Sequence, residues 1–191
     1  MNIGIWGDSI VYGQGDSEAL GWVGRLRKKL NGKERVEVYN FGVCGDTAVD
    51  ISRRFRVEVD SMDPDIIVFA FGMNDEKYLE GEDTNNVPLE EFNKILNQLI
   101  NDARKFTSKI FLVGVTRVDD AMETLKGNRF VNKDIKRYNE SIKEIANAQK
   151  LTFIDMFNVL NPDTDLADGL HPNSDGYEKM FDVISKKIII E

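Results

Sequence analysis

Residues 2–10 read Asn2-Ile3-Gly4-Ile5-Trp6-Gly7-Asp8-Ser9-Ile10, an apolar run that leads directly into a short polar segment. β-branched and aromatic side chains make up most of the run, which is typical of a buried strand. Ser9 therefore follows the end of a predicted strand. In open α/β sheets, ligands and reactive groups collect at this edge.

Four further apolar segments resemble the first and also predict strands. The five predicted strands cover residues 3–6, 36–41, 66–71, 110–115 and 151–154. Apolar residues recur at helical spacing between and after them, which predicts helices over residues 20–30, 48–59, 89–106, 135–145 and 177–188. Strict alternation of strands and helices requires crossover connections and hence parallel strands covered on both faces. We therefore predict an α/β fold with three layers, α/β/α, around a five-stranded parallel sheet.

Length and composition limit the classes of protein that the chain can represent. Its 191 residues, 41% of them hydrophobic, are consistent with a single domain over residues 1–191. The formal net charge of −8 argues against binding to nucleic acid or to anionic lipid. Cys44 has no second cysteine with which to form a disulfide, and no apolar run is long enough for membrane insertion. We expect a cytoplasmic protein.

Two residues far apart in the sequence suggest nucleophilic catalysis. Ser9 lies at a predicted strand end, and His171, the one histidine of the chain, follows Asp168 by three residues. A serine hydroxyl is a weak nucleophile that needs a neighbouring base, and a carboxylate can orient that base. Each residue alone also has an ordinary explanation, because Ser9 can cap a helix and His171 can be a solvated residue before one.

Four polar segments flank the predicted strands or the last helix, and we expect them to converge on one edge of the sheet. They are residues 7–9, 40–47, 72–75 and 168–173. In this order the segments supply a serine, a glycine, an asparagine and a histidine. The chain from Gly7 to His171 thereby resembles the SGNH subgroup of the GDSL esterase and lipase family, which has a flavodoxin-like fold.

The resemblance implies roles for particular residues. Ser9, Asp168 and His171 would form the catalytic triad. The backbone N–H groups of Ser9 and Gly45 and the side-chain amide of Asn74 would form the oxyanion hole. We expect no cofactor and no metal. Asp8 and Asp46 are expected to fix loops or cap helices.

Other chemistries are weakly supported by the sequence. The segment from Asp163 to Gly169 lacks the closing glutamate of a calcium loop, and no dinucleotide or phosphate-binding loop occurs. One histidine and one cysteine are too few for a catalytic zinc. A hydrolase that uses Cys44 with His171 stays open as an alternative nucleophile arrangement.

The expected function is a serine hydrolase that cleaves carboxylic esters of short acyl chains through an acyl-enzyme, with a small-molecule ester as its partner. Two polar, acidic and rather short segments would select the substrate, one from Glu76 to Pro88 and one from Thr116 to Arg129. The alternatives are a carbohydrate O-deacetylase, a thioesterase or a lysophospholipase of the same fold. A non-catalytic binding module is the alternative from another class.

Overall fold

Five strands form one sheet in which every neighbouring pair is parallel. The structure, a computed structural model, describes residues 1–32, 35–119 and 127–189. The strands are β1 (Asn2–Gly7), β2 (Glu37–Gly42), β3 (Ile66–Ala70), β4 (Ile110–Val113) and β5 (Thr152–Ile154). Their order across the sheet is β2-β1-β3-β4-β5. The predicted five-stranded parallel sheet is confirmed.

Five long helices and three helices of a single turn surround the sheet in the described residues. They are α1 (Ser9–Tyr12), α2 (Gly21–Leu30), α3 (Ala48–Asp60), α4 (Met73–Glu76), α5 (Leu89–Ala103), α6 (Asn132–Gln149), α7 (Pro162–Asp165) and α8 (Ser174–Ile188). The five long helices match the predicted ones. None of the described helices has the length and apolar character needed to cross a lipid bilayer.

The long helices form two groups. Helix α2 packs against α8, whereas α5 contacts both α3 and α6. From β1 the chain runs outward to β2 and then returns past β1 to β3. Right-handed crossovers place connections that run in opposite directions on opposite faces of the sheet. The three-layer α/β/α prediction is confirmed.

Burial on both faces explains why the strands are apolar almost throughout. Residues 3–7 of β1 and 66–69 of β3 are all buried. On one face, Trp6 packs edge-on against Phe55 and lies beside Phe69. Such aromatic pairs bury large apolar areas and hold the central strands against the helices. The carboxyl ends of these strands are thereby held rigidly.

The predicted and observed elements differ at their ends. The third and fourth strands stop at Ala70 and Val113, although the apolar segments run on to Phe71 and Val115. Both of these residues are buried, so the side chains continue the core after the backbone has left the sheet. Helix α5 ends at Ala103 because the chain turns there toward β4, with the N–H groups of Phe106 and Thr107 bonded to the Ala103 carbonyl.

Candidate active site

Ser9 is the first residue of α1 and follows β1 after a single intervening residue. That residue, Asp8, caps the helix by accepting a hydrogen bond of 2.9 Å from the Ile10 N–H. Gly13, in the left-handed conformation, ends the helix after one turn. The Ser9 side chain is therefore fixed at the carboxyl edge of β1, where it is 8% exposed.

His171 lies in a tight loop between α7 and α8. An antiparallel bridge between Leu166 and Pro172 closes the loop, and the Ala167 N–H donates to the His171 carbonyl at 2.8 Å. Inside the loop, Asp168 Oδ1 accepts hydrogen bonds from the backbone N–H groups of His171 at 2.7 Å and Leu170 at 3.1 Å. One carboxylate oxygen thus organises the loop and leaves the other free for the imidazole.

A continuous chain of hydrogen bonds connects the serine to the aspartate. Ser9 Oγ is 2.9 Å from His171 Nε2, and His171 Nδ1 is 2.7 Å from Asp168 Oδ2. A carboxylate can only accept, so Nδ1 carries the proton in the neutral ring and Nε2 can accept from the serine hydroxyl. This arrangement can transfer the hydroxyl proton to the imidazole.

The electrostatics of Asp168 agree with this direction of transfer. Partial burial would raise the pKa of Asp168, but hydrogen bonds from the backbone and ring of His171 outweigh it and lower the pKa of this carboxyl. Asp168 is therefore ionised at neutral pH. Its negative charge stabilises a protonated imidazole.

The asparagine and glycine segments meet next to the serine segment. The Val43 N–H donates to the Gly7 carbonyl at 3.1 Å, and Asn74 Nδ2 donates to the Asp46 carbonyl at 3.1 Å. Gly45 lies between these two contacts with φ of 90°, a conformation that strains residues with a side chain. Three of the four predicted polar segments are thus directly connected, and the Ser9–His171 hydrogen bond joins the fourth.

The model of the GDSL-like lipase/acylhydrolase family matches residues 5–179. The chain belongs to this family. The predicted resemblance to the GDSL and SGNH enzymes is therefore confirmed, and the matched range contains all of the predicted site residues.

Individual relatives agree with the family match. A multidomain esterase of Ruminococcus flavefaciens is 36% identical over 122 residues, which are 61% of this chain but 14% of that protein. The crystal structure of a lipase/acylhydrolase from Enterococcus faecalis has 28% identity and a TM-score of 0.81, covering 98% of this chain and 94% of that one. Axe2, an acetylxylan esterase from Geobacillus stearothermophilus, has 21% identity and a TM-score of 0.80, covering 100% and 94%. At this identity Axe2 shows a shared fold.

In this GDSL-like chain, the segment after α1, residues 13–16, packs against the His171 loop and the start of α8. A side chain at Gly15 would bring its Cβ within 2.9 Å of His171 Cβ, and Tyr177 donates from its hydroxyl to the Gln14 carbonyl at 2.7 Å. Arg25 and Ser174 both bond to Asp16, which ties the same segment to α2 and α8. Sequence reasoning missed this support, because the glycines at 13 and 15 offer only a weak nucleotide-binding signal.

Asp75 connects the asparagine turn to α3 and was also missed. Asp75 Oδ1 accepts a hydrogen bond of 2.8 Å from the backbone N–H of Ala48, the first residue of α3. Burial raises the pKa of Asp75 to about 8, so its carboxyl group is neutral at pH 7. A buried acid beside Asn74 therefore holds the asparagine turn against the start of α3.

The two aspartates beside the glycine and serine segments stabilise loops, as expected. Asp8 caps α1, and burial raises the pKa of Asp8 to about 6. Asp46 forms an ion pair with Arg54 at 2.7 Å, and Arg54 also donates to the Phe41 carbonyl. These contacts fix the ends of β1 and β2.

The alternative nucleophile Cys44 is poorly placed for activation. The imidazole Nε2 of His171 contacts Ser9. Partial desolvation and the carboxylates of Asp8 and Asp46 raise the pKa of the Cys44 thiol, which opposes formation of the reactive thiolate. The geometry favours Ser9. Among residues 1–32, 35–119 and 127–189, no group of three or more metal-ligating side chains is suitable for an ion.

The two predicted substrate-selecting segments contact each other. Tyr78, in the segment from Glu76 to Pro88, forms antiparallel bridges with both Asn85 and Arg129, and the Arg129 guanidinium lies 4.7 Å from the centre of the Tyr78 ring. In the segment from Thr116 to Arg129, residues 120–126 lie outside the described residues. The Asp119 N–H donates to the Gly169 carbonyl at 2.8 Å, which joins this segment to the histidine loop.

Proposed function

We propose that the protein is a carboxylic ester hydrolase in which Ser9 is the nucleophile, His171 the general base and Asp168 the residue that orients it. The observation that carries this proposal is the unbroken hydrogen-bond chain from Ser9 to Asp168 in a member of the GDSL-like family. A binding module would have no need for this alignment of three titratable or polar groups.

The proposed reaction has two steps, acylation and deacylation of Ser9. Ser9 Oγ attacks the ester carbonyl while His171 Nε2 removes the hydroxyl proton. The imidazolium then returns this proton to the leaving alkoxide, so that an alcohol departs and an acyl group stays on Ser9. Water, deprotonated by the same imidazole, then attacks the acyl-enzyme. The imidazolium returns that proton to Ser9 Oγ as the bond to the acyl group breaks, and the carboxylic acid is released. Asp168 stays ionised throughout.

Charge that develops on the carbonyl oxygen needs preorganised donors. The backbone N–H groups of Ser9 and Gly45 and the side-chain amide of Asn74 are proposed for this role. The contacts of Val43 with Gly7 and of Asn74 with Asp46 support it, because they hold these groups at the same edge as the Ser9 hydroxyl.

A preference for short acyl chains is supported by the packing beside the nucleophile. A cavity lined by Asp8 and Ile10, the sequence neighbours of Ser9, holds about 20 Å³ and is also lined by Trp22 and Met180, whereas Ser9 itself does not line it. That volume accommodates about one water molecule and is too small for a long alkyl chain. We therefore expect an acyl group on Ser9 to extend away from this cavity and toward the surface, where additional methylenes gain little burial.

For the partner and the compartment, the sequence supports a proposal. We propose a small-molecule ester as the substrate and the cytoplasm as the place of action. The net charge of −8, which opposes polyanion binding, and the lone Cys44 support this assignment.

A panel of chromogenic esters from acetyl to dodecanoyl tests the activity and the acyl preference together. We expect the specificity constant to be highest for the shorter esters. S9A should abolish turnover, whereas the exposed S108A, at the opposite edge of the sheet, should match the wild type. Acetylated xylose, an acyl thioester and a lysophospholipid in the same panel distinguish the alternative ester classes. Full activity of S9A would overturn the proposal.

A further inference from the structure

Two contacts hold the amide group of Asn74, one at each end. Nδ2 donates to the Asp46 carbonyl at 3.1 Å, and Oδ1 accepts from the ammonium group of Lys77 at 3.1 Å. Asn74 itself is buried, with 8% of its surface exposed. The amide is therefore fixed between a backbone carbonyl on one side and a cation on the other.

The chemistry of these two partners permits one orientation of the amide. An ammonium group has donors and no acceptor, and a backbone carbonyl has acceptors and no donor. Rotating the amide by half a turn would oppose NH₂ to the ammonium and carbonyl to carbonyl, and both hydrogen bonds would be lost. The NH₂ group carries two hydrogens, so one N–H remains for a substrate oxygen after Asp46 has taken the other.

We propose that Lys77 is a positioning residue of the oxyanion hole. It holds the Asn74 amide with its NH₂ group toward the developing oxyanion, and its positive charge polarises that amide. This inference rests on the proposed function. It assigns to Lys77 an effect on the transition state that acts through Asn74, with no contact between Lys77 and the substrate.

The local structure places Lys77 for this role. Lys77 is the C-cap of the one-turn helix α4 and lies three residues after Asn74, so both side chains lie on the same side of the turn. The loop that follows returns to brace the turn, with Asn86 donating to the Asn74 carbonyl at 2.9 Å and to the Lys77 carbonyl at 2.8 Å. The backbone that carries both side chains is thereby fixed.

The neighbouring acid does not neutralise the ammonium group. Glu76 is fully buried, and burial raises the pKa of this carboxyl group to about 9. It is therefore uncharged at pH 7. Glu76 accordingly adds no negative charge beside a group that must stabilise an oxyanion.

Kinetics of Lys77 variants test the proposal in the full chain. K77M keeps the length of the side chain and removes the donor, so we expect kcat to fall by about tenfold with KM within about twofold of the wild-type value. K77R, which retains a charged donor, should recover kcat to within about threefold. K94M, on the exposed face of α5, is the matched control and should be unchanged. If K77M does not fold, K77L, which also lacks a donor, replaces it under the same criterion.

A double-mutant cycle with Asn74 shows whether Lys77 acts through the amide. In an N74A background, K77M should cause no further loss of kcat. Wild-type kcat in K77M, no recovery in K77R, or an equal loss in both backgrounds would overturn the role of Lys77 while leaving the ester hydrolase intact. A wild-type chain without ester turnover would instead contradict the proposed function, and this inference with it.

Discussion

At the scale of single residues, Asp168 carries two separate tasks with its two oxygens. Oδ1 binds the backbone N–H groups of Leu170 and His171, and Oδ2 faces His171 Nδ1. In D168N the amide oxygen can still bind the backbone, but the NH₂ group would donate to Nδ1. The imidazole would then carry its proton on Nε2, where it cannot accept the proton of Ser9.

D168N should therefore lose activity without losing its fold. We expect kcat to fall by about a hundredfold or more, and the midpoint of thermal unfolding to stay close to that of the wild type. D163N, an exposed acid of α7, is the matched control. Kinetic assays and thermal unfolding of the two variants check this prediction, and near-normal turnover in D168N would contradict the assigned role of Asp168.

Asp8 is a buried acid of the site that titrates in mild acid. Burial raises its pKa to about 6, and it interacts with the charges of His171 and Asp46. The specificity constant should fall in acid because His171 must be neutral to act as a base. In D8N this acid limb should persist, because it belongs to His171 and not to Asp8. Asparagine is also a good N-cap for α1.

The measurement is the pH dependence of kcat/KM for wild type and D8N, with D163N as the control. A profile of D8N that stays flat through mild acid would mean that the acid limb belongs to Asp8. His171 would then lose its place as the general base.

At the scale of elements, the sequence predicts the long helices because their apolar residues repeat over several turns. It predicts the strands because each is a short run rich in β-branched and aromatic residues. The one-turn helices α1, α4 and α7 are too short to show any period. Two of them carry Ser9 and Asn74. The positions of these residues at strand ends were predictable, whereas their placement on helical turns was not.

The supports of the site were the least predictable part. Asp75, Lys77 and Gly15 act through contacts with residues distant in sequence or through one local turn. Nothing in their spacing distinguishes them from ordinary loop residues. By contrast, Ser9, His171 and Asn74 could be found because they follow strands or precede a helix in the order of the family.

The link between α4 and α3 should depend on the acceptor oxygen of Asp75 and not on its charge. Since its pKa is raised to about 8, Asp75 is neutral at pH 7, and D75N keeps an oxygen for the Ala48 N–H. We expect D75N to retain most of the activity. D75A should unfold with roughly 1–3 kcal/mol less free energy, because a buried N–H loses its partner.

Chemical denaturation and ester assays of the two variants check this link. Equal loss of activity in D75N and D75A would show that the negative charge, and not the hydrogen bond, is what the site requires.

At the scale of the whole molecule, buried acids make stability depend on pH. Burial raises the pKa of Glu76 to about 9, and the charge of Asp134 acts in the same direction. The backbone N–H of Val131 lowers this pKa but does not outweigh burial. The folded state therefore binds a proton that the unfolded state releases above about pH 4.5. The stability that this group contributes is complete below that pH and is lost as the pH rises toward 9.

The free energy of unfolding should thus decrease between about pH 5 and pH 9, by an amount on the order of 1 kcal/mol per pH unit for one such group. E76Q mimics the neutral acid and should show a shallower decrease, whereas E140Q, on the exposed face of α6, should follow the wild type. Acids with lowered pKa, such as Asp50 and Asp165, lose their contributions at lower pH. Parallel curves for E76Q and wild type, from denaturation at several pH values, would contradict this prediction.

The central claim is that the hydroxyl group of Ser9, activated by the imidazole of His171, is the nucleophile in ester hydrolysis. Labelling with a fluorophosphonate tests it most directly, because the probe forms a stable bond only with an activated nucleophile. Mass spectrometry of the intact protein should show one adduct, and peptide mapping should place it on Ser9. The adduct should be absent in S9A, and its formation should be much slower in H171A than in the wild type. An adduct on Cys44 or on any other residue would contradict the account. So would ester turnover by a wild-type protein that the probe does not label.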